Sequence, residues 1–177
     1  MQNMTIPVNG VCEATISYKR TRTGLRAGGA VEVSYILHKI CPQDEQEHFL
    51  LLAMDNKMQL LGWVEVGKGT GTTCPVHPRD LFRTALVLGA NAVIVGHNHP
   101  SGDPEPSADD LTLTRRLVRA GKLLGIEILD HVIIGDPGRH VSLAERGIIP
   151  CDQEMSIESF RRLPEEGGPP QAVLGPR

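Results

Sequence analysis

The 177-residue sequence predicts an α/β sandwich in which helices cover a central sheet. Two short apolar segments, NAVIVG and IEILDHVIIG, are typical of strands buried on both faces. The segment between them carries apolar residues at helical spacing. A chain of this length fills one hydrophobic core and is too short for two comfortable domains. The sequence therefore predicts a single domain over residues 11–150.

The N-terminal half is expected to provide a strand, a helix and a hairpin. Residues 1–10 are assigned to a flexible N-terminus, and residues 11–19 partly alternate apolar and polar side chains, as a strand does. A basic turn, KRTRTGLRAGG, precedes AVEVSYILHKI, which has the pattern of a short amphipathic helix. Residues 47–55 and the segment MQLLGWVEV are predicted to be two strands joined by the turn DNK.

The C-terminal half is expected to alternate loops, helices and strands. GKGTGTT is a loop, and HPRDLFRTALVLGA has Pro78 near its start and Gly89 near its end, as a helix prefers. RHVSLAERG adds a short strand and a turn. Residues 151–177 form a Pro/Gly-rich C-terminal extension, disordered from about residue 163. The helix ADDLTLTRRLVRAGKLLG is predicted from the spacing of Leu113, Leu117, Ala120 and Leu124.

Composition argues against several classes of protein. The formal net charge of −3 gives no global positive field for nucleic acid, and only 3% of the residues are aromatic platforms for base stacking. The N-terminus has no secretory pattern, and no apolar segment reaches the roughly 18 residues of a membrane span. We therefore expect a cytoplasmic protein without a membrane partner. The scattered cysteines form no CxxC pair and are expected to be free thiols: Cys12, Cys41, Cys74 and Cys151.

The segment HNHPSGDPEPSADD has the composition of a metal site. If NAVIVG is a strand that leads into it, His97 and His99 project toward the same side and can reach one ion. Asp110 follows after ten residues and shares a helical stripe with Leu113 and Leu117, which points its carboxylate toward the sheet. Two imidazoles and one carboxylate suit Zn²⁺ and leave a fourth position open, an arrangement that indicates catalysis.

Each part of this segment also has a purely structural explanation. SADD has the form of a capping box, in which Ser107 accepts a hydrogen bond from the third backbone N–H of the helix. The HNH stretch could be a polar loop at the end of a strand. Asp109 lies about 100° round the helix from Asp110 and is expected to face water. A proline-stiffened loop that returns the chain between histidines and an inward aspartate favours the metal site.

Several segments resemble the JAB/MPN, or JAMM, metalloprotease superfamily. HNHPSGDPEPSADD matches its metal signature of His-x-His-Pro, six residues, Ser, two residues and Asp. The segments VHPRDLF, AGKLLGIEILDHVIIGD and VSLAERG are similar to its RadC branch, over residues 47–149. The resemblance implies a JAB/MPN, cytidine-deaminase-like sandwich with a central mixed sheet flanked by helices. It also implies that His97, His99 and Asp110 bind one zinc ion per chain, and that Ser107 helps to polarise the substrate or to stabilise the oxyanion.

The superfamily also uses a glutamate from an earlier strand. The resemblance of EHFLLLAMD to the RadC segment selects Glu47 over Asp44 and Glu45, although Glu47 could also be a solvated acid at the start of a strand. Zinc lowers the pKa of a bound water toward about 7. Glu47 would then accept and return a proton, and Ser107 would donate to the oxyanion. We expect a zinc-dependent peptidase or isopeptidase that acts on a peptide or ubiquitin-like conjugate.

Two other functions stay open. One is a DNA-associated accessory protein, the role that the RadC label implies, but the N-terminal helix-hairpin-helix region common in RadC relatives is not recognisable here. Its contacts would be salt-sensitive, and a solvated turn explains the same basic cluster of Lys19, Arg20, Arg22 and Arg26. The other is a non-catalytic interaction module, which would have no chemical need for all four site residues.

Four further residues carry alternatives. Cys74 stands where the family tends to have serine, and it could contact the metal or be a small buried residue. Asp130 and His131 are consecutive on a predicted strand and must face opposite sides, so at most one of them can support the zinc ligands. His77, in VHPR, could lie near the site or pack at the start of a helix.

Overall fold

The computed structural model of the chain describes residues 2–8, 12–18, 29–42, 44–69 and 76–149. Among these residues, no helix is both long enough and apolar enough to cross a membrane. The elements in chain order are β1 (Gln2–Val8), β2 (Cys12–Tyr18), α1 (Ala30–Ile40), β3 (His48–Met54), β4 (Leu60–Lys68), α2 (Pro78–Val87), β5 (Ala92–Asn98), α3 (Ala108–Leu124), β6 (Glu127–Ile134) and β7 (His140–Ser142).

Five of the strands form a central sheet in the order β4-β3-β5-β6-β7. β5 and β6 run parallel, and the other neighbouring pairs are antiparallel. The chain crosses from β5 to β6 through α3, because parallel neighbours need a long connection that returns the chain to the same end of the sheet. β1 and β2 pair with each other as a separate antiparallel sheet. The predicted α/β class and the mixed central sheet are confirmed.

Hydrophobic side chains cover both faces of the central sheet. One face packs with α2 and α3 in a core cluster that includes Leu51, Val95 and Leu117. The other face packs against α1 in a second cluster that includes Leu37 and Leu52. Neighbouring residues of β3 alternate between the clusters, since successive side chains on a strand point to opposite faces. Every residue of β3 is therefore buried.

Helix α3 begins and ends where its sequence dictates. Ser107 and Asp110 form a reciprocal capping box at its N-terminus, and Gly125 ends it in the left-handed conformation with φ 68°. The helix runs through the predicted segment to Leu124, the last of its regularly spaced apolar residues, which is 48% exposed. The side of α3 that is buried consists of Asp110, Thr114, Leu117 and Gly121.

The other elements lie close to their predicted positions, with one exception. β2 and the β3–β4 hairpin agree with the sequence, whereas β1 occupies a segment that we assigned to a flexible N-terminus. Met4, Ile6 and Val8 alternate with other residues and NG follows them, which are strand and turn signals that outweigh Pro7. The predicted disorder beyond residue 163 and most of the basic turn lie outside the described residues.

Candidate metal centre

The end of β5 brings two histidine rings to one face of the sheet. His97 pairs with Phe49 of β3 in the strand register, and their rings stack with centroids 5.7 Å apart. His97 is completely buried. His99 follows just beyond the strand, and its Nε2 lies 3.0 Å from Nε2 of His97. The two rings thus project toward the same side, as the spacing of two residues in extended backbone predicts.

Asp110 approaches these rings from the first turn of α3. The backbone N–H and the hydroxyl of Ser107 both donate to Oδ2 of Asp110, at 2.7 Å and 2.5 Å. The other oxygen, Oδ1, lies 3.1 Å from Nε2 of His97. The capping box therefore occupies Oδ2 and leaves Oδ1 for His97, while Nε2 of His99 lies 3.5 Å from Oδ2. Capping and metal binding, which the sequence offered as alternatives, are compatible in this geometry.

Glu47 reaches the same point from the residue before β3. Its Oε1 lies 3.4 Å from Nε2 of His97, and its side chain is only 12% exposed. Asp44, one of the two acids that the resemblance passed over, bonds to His48 and Lys68 instead. Glu45 is exposed. Glu47 is therefore the acid of this stretch that the fold directs toward the histidines.

The four side chains form one compact cluster. One ligand atom from each of Glu47, His97, His99 and Asp110 can be chosen so that all four lie within 4.8 Å of one another. They come from three separate parts of the fold: the start of β3, the end of β5 and the start of α3. This cluster could hold a metal ion.

Hydrogen bonds fix the orientation of the His99 ring. Its Nδ1 lies 2.8 Å from the carbonyl oxygen of Asp103, which can only accept. Nδ1 therefore carries a hydrogen, and in the neutral ring Nε2 presents a lone pair. The loop between the histidines and α3 thus supplies the acceptor that turns Nε2 of His99 toward the cluster.

A longer chain of hydrogen bonds orients His97. The Thr114 hydroxyl donates to the carbonyl oxygen of Asp110 at 2.6 Å, so it can only accept from Nδ1 of His131, also 2.6 Å away. With its hydrogen on Nδ1, neutral His131 has a lone pair on Nε2. That nitrogen lies 2.8 Å from Nδ1 of His97, which must then be the donor. Nε2 of neutral His97 is left with a lone pair that points into the cluster.

This arrangement fits a divalent cation. Two neutral rings would face each other with lone pairs across 3.0 Å, which is repulsive unless something positive lies between them. Two nitrogens bound tetrahedrally at a Zn–N distance of about 2.0–2.1 Å are separated by about 3.3 Å. A proton on one of the facing nitrogens can relieve the repulsion as well. The donor set is thus chemically suited to zinc, and the same atoms compete for protons.

The pKa values of the cluster follow from its contacts. The hydrogen bond to Asp110 raises the pKa of His99 above its usual range. Burial alone would raise the pKa of Asp110, but bonds with His97 and His99 outweigh burial and hold it well below its ordinary value. Burial lowers the pKa of His131 far below that of an exposed histidine. Asp110 therefore stays ionised and His131 stays neutral near neutral pH, as the hydrogen-bond chain requires.

The loop from His99 to Ser107 is held by residues that follow β6 and β7. The carbonyl oxygen of Gly102 accepts from the backbone N–H of Asp136 at 2.9 Å. A Cβ on Gly135 would meet that same carbonyl, so the close contact requires glycine there. Arg146 adds a bidentate pair with Glu105, at 2.6 Å and 2.8 Å. These contacts, as well as the prolines, set the spacing between the histidines and Asp110.

The remaining candidate residues lie elsewhere or serve other roles. Of the consecutive pair on β6, His131 contacts His97, whereas Asp130 accepts from Ser142 and from the backbone of Ala144. Of the pair, His131 is thus the residue that contacts a member of the cluster. His77 caps α2 by accepting from the backbone N–H of Arg79. Cys74 and the basic cluster lie outside the described residues.

Two supporting residues were not singled out from the sequence. Thr114 lies four residues after Asp110 on the same side of α3, so helical spacing from a candidate ligand could have identified it. Asn98 separates the two histidines in HNH, and the alternation of a strand sends its side chain away from theirs. A polar residue in the last position of a buried strand needs hydrogen-bond partners. This position was the sequence signal that could have identified Asn98.

Comparisons with known proteins agree with this geometry. A family model described as a RadC-like JAB domain matches residues 30–148. The UPF0758 protein of Desulfitobacterium hafniense (strain DSM 10664 / DCB-2) is 49% identical over 105 residues, which is 59% of this chain and 46% of that protein. The UPF0758 protein of Methanosarcina mazei is 45% identical over 118 residues, 67% of this chain and 51% of that protein. The chain spans about half the length of these relatives, whose names state no activity.

Proposed function

Because the chain belongs to the RadC-like JAB domain family, we propose that it is a zinc-dependent hydrolase that cleaves a peptide or isopeptide amide bond. One observation carries the proposal: two imidazole nitrogens and a carboxylate oxygen converge on one point, with Glu47 beside them. Nitrogen and oxygen ligands in this number suit Zn²⁺, and three protein ligands leave a coordination position for chemistry.

Four side chains divide the work in this proposal. His97, His99 and Asp110 would hold the cation, which supplies Lewis-acid activation of a water molecule for attack on a carbonyl carbon. Glu47 takes a proton from the attacking water and delivers it to the leaving amine, a task that one carboxylate near both groups can perform. Its low exposure keeps bulk water from competing for that carboxylate. The reaction needs no covalent intermediate with the protein.

Ser107 is proposed to stabilise the oxyanion that forms during attack. In the absence of substrate its hydroxyl donates a hydrogen bond to Oδ2 of Asp110. The hydroxyl would have to turn from Asp110 toward the substrate oxygen to act in this way. Asp110 would not lose its support, because the backbone N–H of Ser107 donates to the same oxygen at 2.7 Å. The side chain of Ser107 is exposed and can make this change.

The substrate is proposed to be a peptide or a ubiquitin-like conjugate, acted on in the cytoplasm. Amide hydrolysis by a metal-activated water needs a scissile carbonyl that can reach the ion and an amine that can leave near Glu47. Both bond types meet these requirements, and the loops around the site decide between them.

The test measures bound metal and amide hydrolysis in the same preparations. We expect about one zinc per chain, and turnover on a panel of peptides and ubiquitin-like conjugates that is lost in Glu47→Gln while zinc stays bound. Glu45→Gln is the matched control, because Glu45 is an exposed acid in the same segment. A native chain that binds no zinc, or Glu47→Gln with native turnover, would refute the proposed function.

A further inference from the structure

Asn98 makes two hydrogen bonds to the backbone on either side of Glu47. Its Oδ1 accepts from the backbone N–H of His48 at 2.7 Å. Its Nδ2 donates to the carbonyl oxygen of Gln46 at 2.9 Å. The partners determine which end of the carboxamide faces which group, since an N–H can only donate and a carbonyl can only accept. One side chain thus binds both neighbours of the residue that we propose as the proton-transfer group.

These two bonds continue the sheet beyond its last backbone pair. The antiparallel register of β3 and β5 runs from Met54 and Ala92 to Phe49 and His97. Asn98 is the next residue, and its own backbone pairs with Ile134 of β6 on the other side. Its carboxamide, which has the donor and acceptor of a peptide group, takes the place of the missing backbone pair.

The geometry restricts the backbone of Glu47 in particular. The carbonyl of Gln46 and the N–H of His48 belong to the two peptide planes that flank the Cα of Glu47. Holding both planes fixes φ and ψ of that residue, and so the direction of its Cα–Cβ bond. The Glu47 carbonyl is held from the opposite side by the N–H of Gly69 at 2.7 Å. The ring of His48 is anchored in turn by Glu65 at 2.7 Å.

We infer that Asn98 is a positioning residue for Glu47: its carboxamide holds the backbone that directs the Glu47 carboxylate toward His97, His99 and Asp110. The inference rests on the proposed function, because the direction of the Glu47 carboxylate matters for catalysis only if the cluster holds a metal ion. The hydrogen bonds of Asn98 are nevertheless a property of the metal-free chain. The inference also explains why an asparagine stands between the two histidines. In HNH, the histidines face the proposed metal site and Asn98 holds the backbone of Glu47.

Asparagine is well suited to this position on chemical grounds. Aspartate has the right length, but it offers only acceptors and would place a carboxylate against the carbonyl of Gln46. Alanine offers neither donor nor acceptor. Glutamine has the right group on a stem one methylene longer, which does not fit the same two partners without moving the backbone. The substitutions Asn98→Asp and Asn98→Ala therefore remove one and two of the hydrogen bonds.

The experiment is nuclear magnetic resonance on the metal-free full chain. It follows the hydrogen-exchange rate of the His48 amide and the Overhauser contact between the Glu47 side chain and the His97 ring. Asn98→Ala should speed His48 exchange about five- to tenfold and abolish the contact. Asn98→Asp should keep the His48 exchange rate within about twofold, since the acceptor remains, and still weaken the contact. The control is Asn91→Ala, an exposed asparagine next to the other end of β5.

The outcomes separate this inference from the proposed function. Unchanged His48 exchange in Asn98→Ala, or an intact contact between Glu47 and His97 in both Asn98 variants, would overturn the positioning role. Exchange of the Leu51 and Val95 amides should stay native, and faster exchange across the whole sheet would also count against a specific role. If the native chain bound no zinc but the contact depended on Asn98 as expected, the hydrolase proposal would fail and the positioning of Glu47 would stand.

Discussion

Nε2 of His131 lies 2.8 Å from Nδ1 of His97, and this contact leaves Nε2 of His97 to face His99 and Asp110. His131 is completely buried, and burial holds its pKa so low that it stays neutral. A neutral ring has one acceptor nitrogen, and the Thr114 hydroxyl determines which one it is. The lone pair on Nε2 of His97 is therefore directed toward Glu47, His99 and Asp110 in the metal-free chain.

His131→Phe tests this preparation. Phenylalanine keeps an aromatic ring beside Phe49 but offers no acceptor to Nδ1 of His97. We expect zinc affinity to fall about 10- to 100-fold, the usual cost of losing a partner that orients a metal-bound histidine. Competition with a chromophoric chelator measures the affinity. His140→Phe, at a half-buried position on β7, is the control, and native affinity in His131→Phe would show that the contact does not matter.

Thr114→Val tests the next link in the same chain. The substitution keeps the shape of the side chain but leaves the Nδ1 hydrogen of His131 without an acceptor in a buried site. We expect the free energy of unfolding of the metal-free protein to fall by about 1–3 kcal/mol, measured by urea denaturation. Thr112→Val, at an exposed position on the same helix, should change it by less than about 0.5 kcal/mol. Equal effects at the two positions would contradict the assignment.

The sequence predicted the members of the cluster better than the groups that contact them. His97, His99 and Asp110 could be proposed because a strand and a helix have fixed periods, and these periods place side chains on a face without knowledge of the fold. Glu47 needed the family resemblance, since nothing local separates it from Asp44. Some of the supporting bonds join segments far apart in the chain, such as His97 with His131, and local periodicity carries no information on such pairs.

The fold shows the same division. The α/β class followed from the order of strands and helices, but the extent of the buried side of α3 depends on tertiary contacts that helical spacing does not give. Leu124 fits the helical spacing and is nevertheless 48% exposed. In β1 the apolar alternation was present, although residues 1–10 were assigned to a flexible N-terminus.

Asp110→Asn should abolish tight metal binding. An amide keeps most of the side-chain shape but removes the negative charge and puts donor hydrogens where an oxygen ligand is needed. We expect zinc affinity to fall by more than roughly a hundredfold, because even residues behind the ligands contribute 10- to 100-fold. Asp109→Asn is the matched control, since Asp109 is exposed in the same helical turn and should leave zinc affinity unchanged. Similar losses in both variants would point to a helix effect instead of a ligand.

Zinc affinity should fall as the pH decreases through the pKa of His99. The hydrogen bond with Asp110 raises that pKa, so a proton occupies His99 of the metal-free chain at a higher pH than in an exposed histidine. Zinc needs the unprotonated nitrogen and must displace this proton, which costs about tenfold in affinity per pH unit below the pKa. Asp110 does not contribute to this decrease, because its own pKa is lowered and it stays ionised.

Chelator competition over a range of pH values, together with a magnetic-resonance titration of His99, measures both quantities. The midpoint of the affinity loss should agree with the titration of His99 in the metal-free protein. Affinity that is constant across that titration, or that rises as the pH falls, would contradict the assignment of His99 as a ligand.

Gly135→Ala should lower both the stability of the protein and its zinc affinity, although Gly135 is not part of the cluster. A Cβ at this position would overlap the Gly102 carbonyl oxygen, which belongs to the loop between His99 and α3 and accepts from Asp136. The backbone cannot rotate away as a flexible side chain can, so the loop must move outward from β6. We expect the free energy of unfolding to fall by about 1–3 kcal/mol, as in other overpacked sites. Zinc affinity should fall as well, because the same loop positions both the Nδ1 acceptor of His99 and the start of α3.

Gly62→Ala is the control for this prediction, since a Cβ there meets no atom within 4 Å and Gly62 lies in β4, away from the loop. It should leave both stability and zinc affinity near their native values. Urea denaturation and chelator competition on the two variants separate the possible results. A loss of stability in Gly135→Ala with native zinc affinity would mean that the ligands adjust to the displaced loop. The geometry of the cluster would then depend on the ion more than on the protein around it.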